Sequence, residues 1–108
     1  MHEPFGIMAD LLLELERELR ALQLWASEKP TRAMLTSTAP FAADRLSLEQ
    51  WLQWIFIPRI KQLIEANAAL PTSCKIHPYA EECLGKDNET VGSLLGILSR
   101  IDRHISAG

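Results

Sequence analysis

Glycine, cysteine and aromatic residues are all scarce in this sequence of 108 residues, which has five glycines, two cysteines and 6% aromatic residues. So few glycines argue against an architecture built from many tight hairpins. Two cysteines are too few for a disulfide framework, and the N-terminus shows neither a basic segment leading into an apolar one nor a small-residue cleavage site. We therefore expect a cytoplasmic protein with reduced thiols.

Long hydrophobic runs and an excess of positive charge are also missing. Apolar runs such as residues 54–58 are far shorter than the roughly 20 residues that span a bilayer, so no membrane segment is predicted. The chain has 11 Lys and Arg against 14 Asp and Glu, a net charge of −3, unlike an autonomous nucleic-acid-binding domain. Hydrophobic residues are abundant, at 47%, and the length is typical of one domain. We expect a single domain over residues 1–108.

These hydrophobic residues recur at helical spacing. A stripe from Ile7 to Ala26 predicts a long amphipathic first helix. Ser47, followed three residues later by Gln50, makes a capping box, so a central helix is expected to begin at Ser47. A last apolar stripe predicts a helix that starts at residue 90 or 91 and ends at Ile105.

The connections between these helices contain signals for shorter ones. A turn of helix fits residues 31–35, with Thr31 or Pro30 near its start. A second short helix is predicted with Pro78 at its first position, acids in its first turn and Gly85 just past its end.

The central helix, residues 48–66, changes its apolar face at Pro58. Proline has no N–H to donate, and its ring crowds the carbonyl of Trp54, so a kink or local break is predicted near residues 54–58. The fold class that follows is all-α: an antiparallel bundle of three long helices, the central one kinked at Pro58, plus one or two short helices.

Cys74, His77 and Cys83 are spaced C-x2-H-x5-C and are the residue types that bind metals. Structural zinc needs four ligands, and His2 and His104 lie far away without paired spacing, so we predict no metal and no cofactor. A cysteine nucleophile is a further alternative. Cys74 is the better candidate, because the helix dipole near Cys83 would raise a thiol pKa.

The acidic residues do not form an obvious catalytic pair. Adjacent Glu81 and Glu82 point about 100° apart on a helix, which is poor geometry for acid and base work on one substrate. Asp102 falls within the apolar stripe of the last helix, where a carboxylate needs a partner such as an arginine or a helix N-terminus. The sequence also lacks a G-x-S-x-G elbow, a phosphate-binding loop and an H-E-x-x-H pair. We predict that the protein has no catalytic residues and is not an enzyme.

Charge is distributed unevenly along the chain. Residues 30–63 have four basic and two acidic side chains, with aromatic residues between them. This mixture is typical of protein interfaces and of surfaces that contact phosphates and bases; solvated cations beside core tryptophans would give the same pattern. The partner-binding residues predicted from this segment are Pro40, Phe41, Arg45, Gln53, Arg59 and Lys61.

Residues 40–60, with the sequence PFAADRLSLEQWLQWIFIPRI, resemble the signature of the YqcC-like family of small bacterial proteins. Further similarities lie in the LERELR run at 15–20, the LW pair at 24–25, the LP step at 70–71, the PYAEE turn at 78–82 and the ID pair at 101–102, so that the resemblance covers nearly the whole chain.

The resemblance implies a helical bundle of unassigned function whose genes often accompany that of a tRNA pseudouridine synthase of type C. It brings no catalytic residues, and the chain lacks the catalytic aspartate motif of those synthases. The function expected is an accessory protein of tRNA modification that binds a protein partner, the synthase itself being the first candidate. Direct binding of tRNA is the alternative.

Overall fold

A computed structural model describes residues 3–71, 74–85 and 88–107, and this part of the chain contains helices and no strand. The six α-helices are α1 (Glu3–Ala21), α2 (Arg32–Leu35), α3 (Leu48–Trp51), α4 (Ile57–Glu65), α5 (Ile76–Leu84) and α6 (Gly92–Ala107). A π-helical turn, Leu52–Phe56, joins α3 to α4, and two 3-10 turns occupy Pro40–Ala42 and Glu89–Val91. The all-α prediction is confirmed. Residues 72–73 and 86–87 of the predicted connection, and His2, lie outside the described residues.

Helices α1 and α6 pack side by side and run antiparallel. Ile7 near the start of α1 lines one groove with His104 near the end of α6, while Glu18 lines a second groove with Ser93 at the other end. Between them, Arg100 bridges to Glu14 at 3.1 Å. Within the described residues, no helix combines the length and the hydropathy that a membrane span requires.

The core lies between α1, the central helix and α6, with α5 packed on α6. Helix α6 buries the residues of its predicted stripe, because apolar side chains three and four apart fall on one side of a helix. The core residues are Met8, Leu11, Leu12, Leu15, Leu19, Leu48, Leu52, Phe56, Ile57, Ile60, Ile76, Ala80, Val91, Leu94, Leu95, Ile97, Leu98, Ile101 and Ile105.

Helix α1 ends at Ala21, earlier than the predicted stripe, which ran to Ala26. Gln23 has a left-handed backbone, with φ of 61°. The N–H of Leu24 donates to the carbonyl of Leu19 at 2.8 Å, and that of Gln23 to the carbonyl of Arg20 at 3.0 Å. These two bonds form a Schellman motif, which satisfies the last carbonyls of the helix and turns the chain away from its axis.

The predicted starts of two other helices are confirmed. The Ser47 side chain accepts from the N–H of Gln50, and the Gln50 side chain accepts from the N–H of Ser47, so the capping box is complete. At α2, the hydroxyl of Thr31 accepts from the N–H of Met34 at 3.2 Å. Both caps satisfy donors that the helix itself leaves unpaired.

The disturbance predicted at Pro58 takes the form of a π-helical turn rather than a break. The N–H of Ile57 donates to the carbonyl of Leu52, five residues back. The wider turn opens the backbone around the carbonyl of Trp54, which a regular α-helix would press against the proline ring. Proline then lies in the first turn of α4, where its missing N–H is not needed.

The π-helical turn also aligns the apolar faces of α3 and α4. Leu48, Leu52, Phe56 and Ile60 are four residues apart, and all are buried. On a regular α-helix each step of four rotates about 40° too far, so these side chains would spread across roughly 120°. One wide turn accommodates an extra residue and offsets most of this drift. The two faces therefore pack against the same core.

Gln53, in the π-helical turn, binds the segment that follows α1. Its side-chain oxygen accepts from the N–H of Ala26 at 2.8 Å, and its side-chain nitrogen donates to the carbonyl of Ala26 at 2.7 Å. Gln53 is only 5% exposed, and both bonds are partly buried. This two-bond pairing fixes residues 22–30 beside the central helix.

We predict that Gln53→Ala lowers the free energy of unfolding by about 2 kcal/mol, because it leaves the N–H and C=O of Ala26 without partners. Urea denaturation of the two proteins measures the loss. The matched control is Gln62→Ala, an exposed glutamine on α4, which should change stability by less than about 0.5 kcal/mol. Equal effects of the two substitutions would contradict the role given to Gln53.

Candidate functional site

A groove of about 520 Å³ lies between residues 29–42 and the central helix. We call it the cationic groove. Its walls come from the segment fixed by Gln53, from the 3-10 turn and from one side of α3 and α4. The lining residues are Lys29, Leu35, Ser37, Ala39, Phe41, Ala42, Trp51, Trp54, Ile55, Pro58, Arg59 and Gln62.

The 3-10 turn holds two consecutive residues in a left-handed backbone conformation. Phe41 has φ of 57° and Ala42 has φ of 51°. Neither residue is glycine, so this conformation costs free energy that the surroundings must offset. Phe41 is stacked on Tyr79 of α5, with ring centroids 4.4 Å apart, and meets Trp51 edge to face at 5.0 Å. These ring contacts hold the turn in place at one end of the groove.

The charged side chains that line the groove are both cations. Lys29 and Arg59 are exposed, and neither forms an ion pair with any residue in the described ranges. Asp44 lies just outside the lining, where it accepts a hydrogen bond from Ser37 and lies 3.7 Å from Arg45. The potential in the groove therefore favours a negatively charged occupant.

Trp54 adds an unusual donor to the groove wall. Its indole N–H is buried and has no hydrogen-bond partner among the described residues. A buried donor without an acceptor costs about 1–3 kcal/mol, so such groups are rare in folded proteins. The groove thus combines two unpaired cations with an unpaired N–H donor in its wall.

Four of the six predicted partner-binding residues lie at or beside this groove. Phe41 and Arg59 line it. Pro40 is exposed next to Phe41, and Arg45 is exposed on the turn that follows. The structure thus brings these four together on one side of the molecule.

The other two predicted residues lie elsewhere. Gln53 is buried, and its side-chain amide is committed to Ala26, so it is unavailable to a partner. Lys61 lines a different, smaller groove of about 240 Å³, formed with Leu12 and Leu13 of α1. Two features of the groove, Lys29 and the N–H of Trp54, were not among the predicted site residues, because no local pattern connects residue 29 to residues 54–59.

Asp102 is buried, with 9% exposure, and binds the N-terminus of α5. Its two carboxylate oxygens accept from the N–H groups of Ile76 and His77, at 3.0 and 2.7 Å. A helix N-terminus was one of the two partners predicted for this acid. The negative charge is favourable there because the end of a helix carries unpaired N–H groups and a partial positive charge.

The start of α5 differs from the prediction. The helix begins at Ile76, two residues before Pro78, and its own first turn contains no acid. Glu81 and Glu82 lie in later turns. Asp102 of α6 supplies the negative charge at the N-terminus of α5 instead. Because the two are far apart in sequence, no local pattern predicts this contact.

Cys74, His77 and Cys83 make separate contacts. The thiol of Cys74 lies near the carboxylate of Asp102. His77 lies 3.8 Å from Glu81, and Cys83 is exposed. Over residues 3–71, 74–85 and 88–107, no three His, Cys, Asp or Glu side chains converge in a way that could hold a metal ion.

Burial, together with the neighbouring carboxylate of Asp102, raises the pKa of the Cys74 thiol from 9.0 to about 12. A thiol is nucleophilic only as the thiolate. Cys74 therefore stays protonated near neutral pH, where it is a poor nucleophile.

Comparison with known proteins identifies the family. A family model described as "DUF446: tRNA pseudouridine synthase C" matches residues 7–104. The protein YqcC of Escherichia coli K12 is 34% identical over 91 residues, which are 84% of this chain and 84% of that protein. The chain belongs to the YqcC-like family. The resemblance seen in residues 40–60 is thereby confirmed.

Other relatives agree with this assignment. An uncharacterised protein of Haemophilus influenzae is 41% identical over 78 residues, 72% of this chain and 74% of that protein. The solution NMR structure of E. coli YqcC superposes with a TM-score of 0.85 at 30% identity, covering 97% of this chain and 90% of the other. The YqcC-like fold is thus shared over nearly the full length.

One similar protein is much longer than this chain. A tRNA pseudouridine synthase C of Pectobacterium carotovorum is 40% identical over 62 residues, which are 57% of this chain but only 16% of the synthase. The similarity is therefore confined to a small part of that protein.

We predict that Asp102→Ala lowers the free energy of unfolding by about 2–4 kcal/mol, because two N–H groups at the start of α5 lose their acceptor. Asp102→Asn keeps one oxygen and should lose less. Urea denaturation at neutral pH measures both, with Glu82→Ala, which removes an exposed acid of α5, as the control. A loss no larger than that of the control would refute the assignment.

The raised pKa of Cys74 predicts a pH dependence. Above about pH 9 the thiol ionises in the unfolded chain but keeps its proton in the folded one, so unfolding releases a proton and stability falls as pH rises. The non-ionising variant Cys74→Ser removes this contribution. Between about pH 8 and pH 10.5, the free energy of unfolding should fall more steeply for the wild type than for Cys74→Ser. Parallel curves would contradict this assignment.

Proposed function

We propose that this YqcC-like protein is a non-enzymatic accessory protein that binds a protein partner through the cationic groove, and that the partner is a tRNA pseudouridine synthase. The groove supports binding because it joins apolar lining to two unpaired cations and an unpaired donor. Its volume of about 520 Å³ lies within the range of pockets that hold ligands, about 300–1,000 Å³.

One comparison carries the choice of partner. The P. carotovorum synthase includes a segment similar to 62 residues of this chain, and most of that protein lies outside the segment. Joining two units in one chain raises the effective concentration of each for the other. A YqcC-like unit that works with the synthase would gain from such a fusion, so the arrangement supports a functional association of the two.

The chemistry of the buried polar groups supports a non-enzymatic role. The carboxylate of Asp102 is occupied by two backbone N–H groups, and the Cys74 thiol is held protonated beside it. Both groups lie at the junction of α5 and α6. Neither is therefore available as the acid, base or nucleophile that catalysis requires.

We expect the tagged protein to retain the tRNA pseudouridine synthase C of its own organism in a pull-down, and retention to survive nuclease treatment. Arg45→Ala together with Arg59→Ala should reduce retention about tenfold, since charge pairs at an interface typically contribute this much or more. Lys61→Ala is the matched control, because Lys61 is an exposed cation at another groove.

Unchanged retention by the double variant would refute the site, and no retention of the synthase by the wild type would refute the partner. Direct tRNA binding is the alternative, and the two unpaired cations that line the groove, Lys29 and Arg59, support it. It predicts that nuclease abolishes retention and that tRNA affinity falls steeply with salt, because cations that bind phosphates release counterions.

A further inference from the structure

We infer that the cationic groove takes an acidic segment of a protein partner that also presents an apolar side chain. The inference rests on the proposed function only for the choice of this groove as the binding site. It adds the chemistry of the occupant, which no comparison with known proteins specifies.

Charge complementarity is the first argument. Lys29 and Arg59 come from different parts of the chain and line the same groove. Neither is neutralised by a carboxylate, whereas Arg20 and Arg100, which lie elsewhere on the surface, pair with Glu16 and Glu14. Two uncompensated cations that flank a groove attract carboxylates and disfavour cationic segments.

The N–H of Trp54 is the second argument. The indole is part of the groove wall, and its N–H lacks an acceptor. Because this N–H is inaccessible in the free protein, the ring would have to turn when an occupant binds, and the donor would then meet a carboxylate or carbonyl oxygen of that occupant. An acceptor-rich occupant would then remove the cost of an unpaired buried donor.

The apolar lining supplies the third argument, and it favours protein over RNA. Leu35, Ile55 and Pro58 line the groove, as do the aromatic residues Phe41, Trp51 and Trp54. The aliphatic part of the lining buries an apolar side chain. Surfaces that bind single-stranded nucleic acid combine many cations with exposed aromatic faces, whereas this groove has two cations and its Phe41 and Trp51 rings pack against each other. The net charge of −3 also opposes binding to a long polyanion.

A displayed library of random peptides, selected on the immobilised full-length protein, tests this inference without knowledge of the partner. Recovered peptides should be enriched in Asp and Glu next to Leu, Phe or Trp. One such peptide is then synthesised, and its affinity is measured by calorimetry for the wild type and for the charge-reversed variant Lys29→Glu with Arg59→Glu. We expect affinity to fall about tenfold or more, and a peptide with Lys in place of its acids to bind the reversed variant.

The control is Arg17→Glu with Lys61→Glu, which makes the same change in charge at two exposed cations outside the groove. It should change the affinity less than twofold, because salt screens the interaction between these exposed side chains and a peptide in the groove. Trp54→Phe retains a ring but removes the N–H. It should weaken peptide binding several-fold, while the free protein is as stable as before or more so, because an unpaired donor has been removed.

Enrichment of basic or uncharged peptides, failure to recover any peptide, or equal losses in the two charge-reversed variants would overturn the inference. If the wild type binds tRNA and the variant Lys29→Glu with Arg59→Glu does not, the inference is also overturned and the groove is assigned to RNA. If acidic peptides bind the groove but the synthase is not retained in the pull-down, the synthase is not the partner, and the inference about the chemistry of the occupant stands.

Discussion

The pairing of Gln53 with Ala26 is the contact on which the groove depends. Two hydrogen bonds from one buried side chain connect the central helix to the segment that follows α1. That segment continues to Lys29, so the same contact places one of the two groove cations. The other, Arg59, follows directly after Pro58 in α4. A glutamine that is almost fully buried thus holds the segment that leads to Lys29 beside the helix that carries Arg59.

The π-helical turn explains why a glutamine can occupy this position. Pro58 prevents a regular α-helical ladder at Trp54, and the wide turn that replaces it rephases the helix. Apolar side chains on both sides of the turn then face the core, while Gln53 faces the backbone of Ala26. The left-handed Phe41 and Ala42 complete the opposite wall, held by ring contacts to α3 and α5. Proline therefore helps to shape the wall of the cationic groove.

Local patterns predicted the helices, and they failed where contacts link distant residues. The capping box at Ser47 and the Thr31 cap involve neighbours three residues apart, so the sequence displays both partners together. Ala26 and Gln53 are far apart, and a buried glutamine looks in the sequence like an exposed one. For that reason Gln53 was predicted to contact a partner, although its side chain serves the fold.

The candidate site was predicted in part for the same reason. Arg59, Phe41, Pro40 and Arg45 belong to one stretch whose charge and aromatic content mark it in the sequence. Lys29 comes from a different segment and reaches the groove only through the tertiary structure. Asp102 is an intermediate case. Its place on an apolar stripe signalled a need for a partner, but only the fold identifies that partner as the start of α5.

The central claim is that the cationic groove is the surface that meets the partner. An NMR titration of the isotopically labelled protein with unlabelled tRNA pseudouridine synthase C tests it directly, because the indole N–H of Trp54 reports on the groove wall. The account predicts shifts at this indole and at the amides of residues 29–42 and 55–62. Shifts confined to the surface around Leu13, which is 53% exposed, and Lys61 would contradict it.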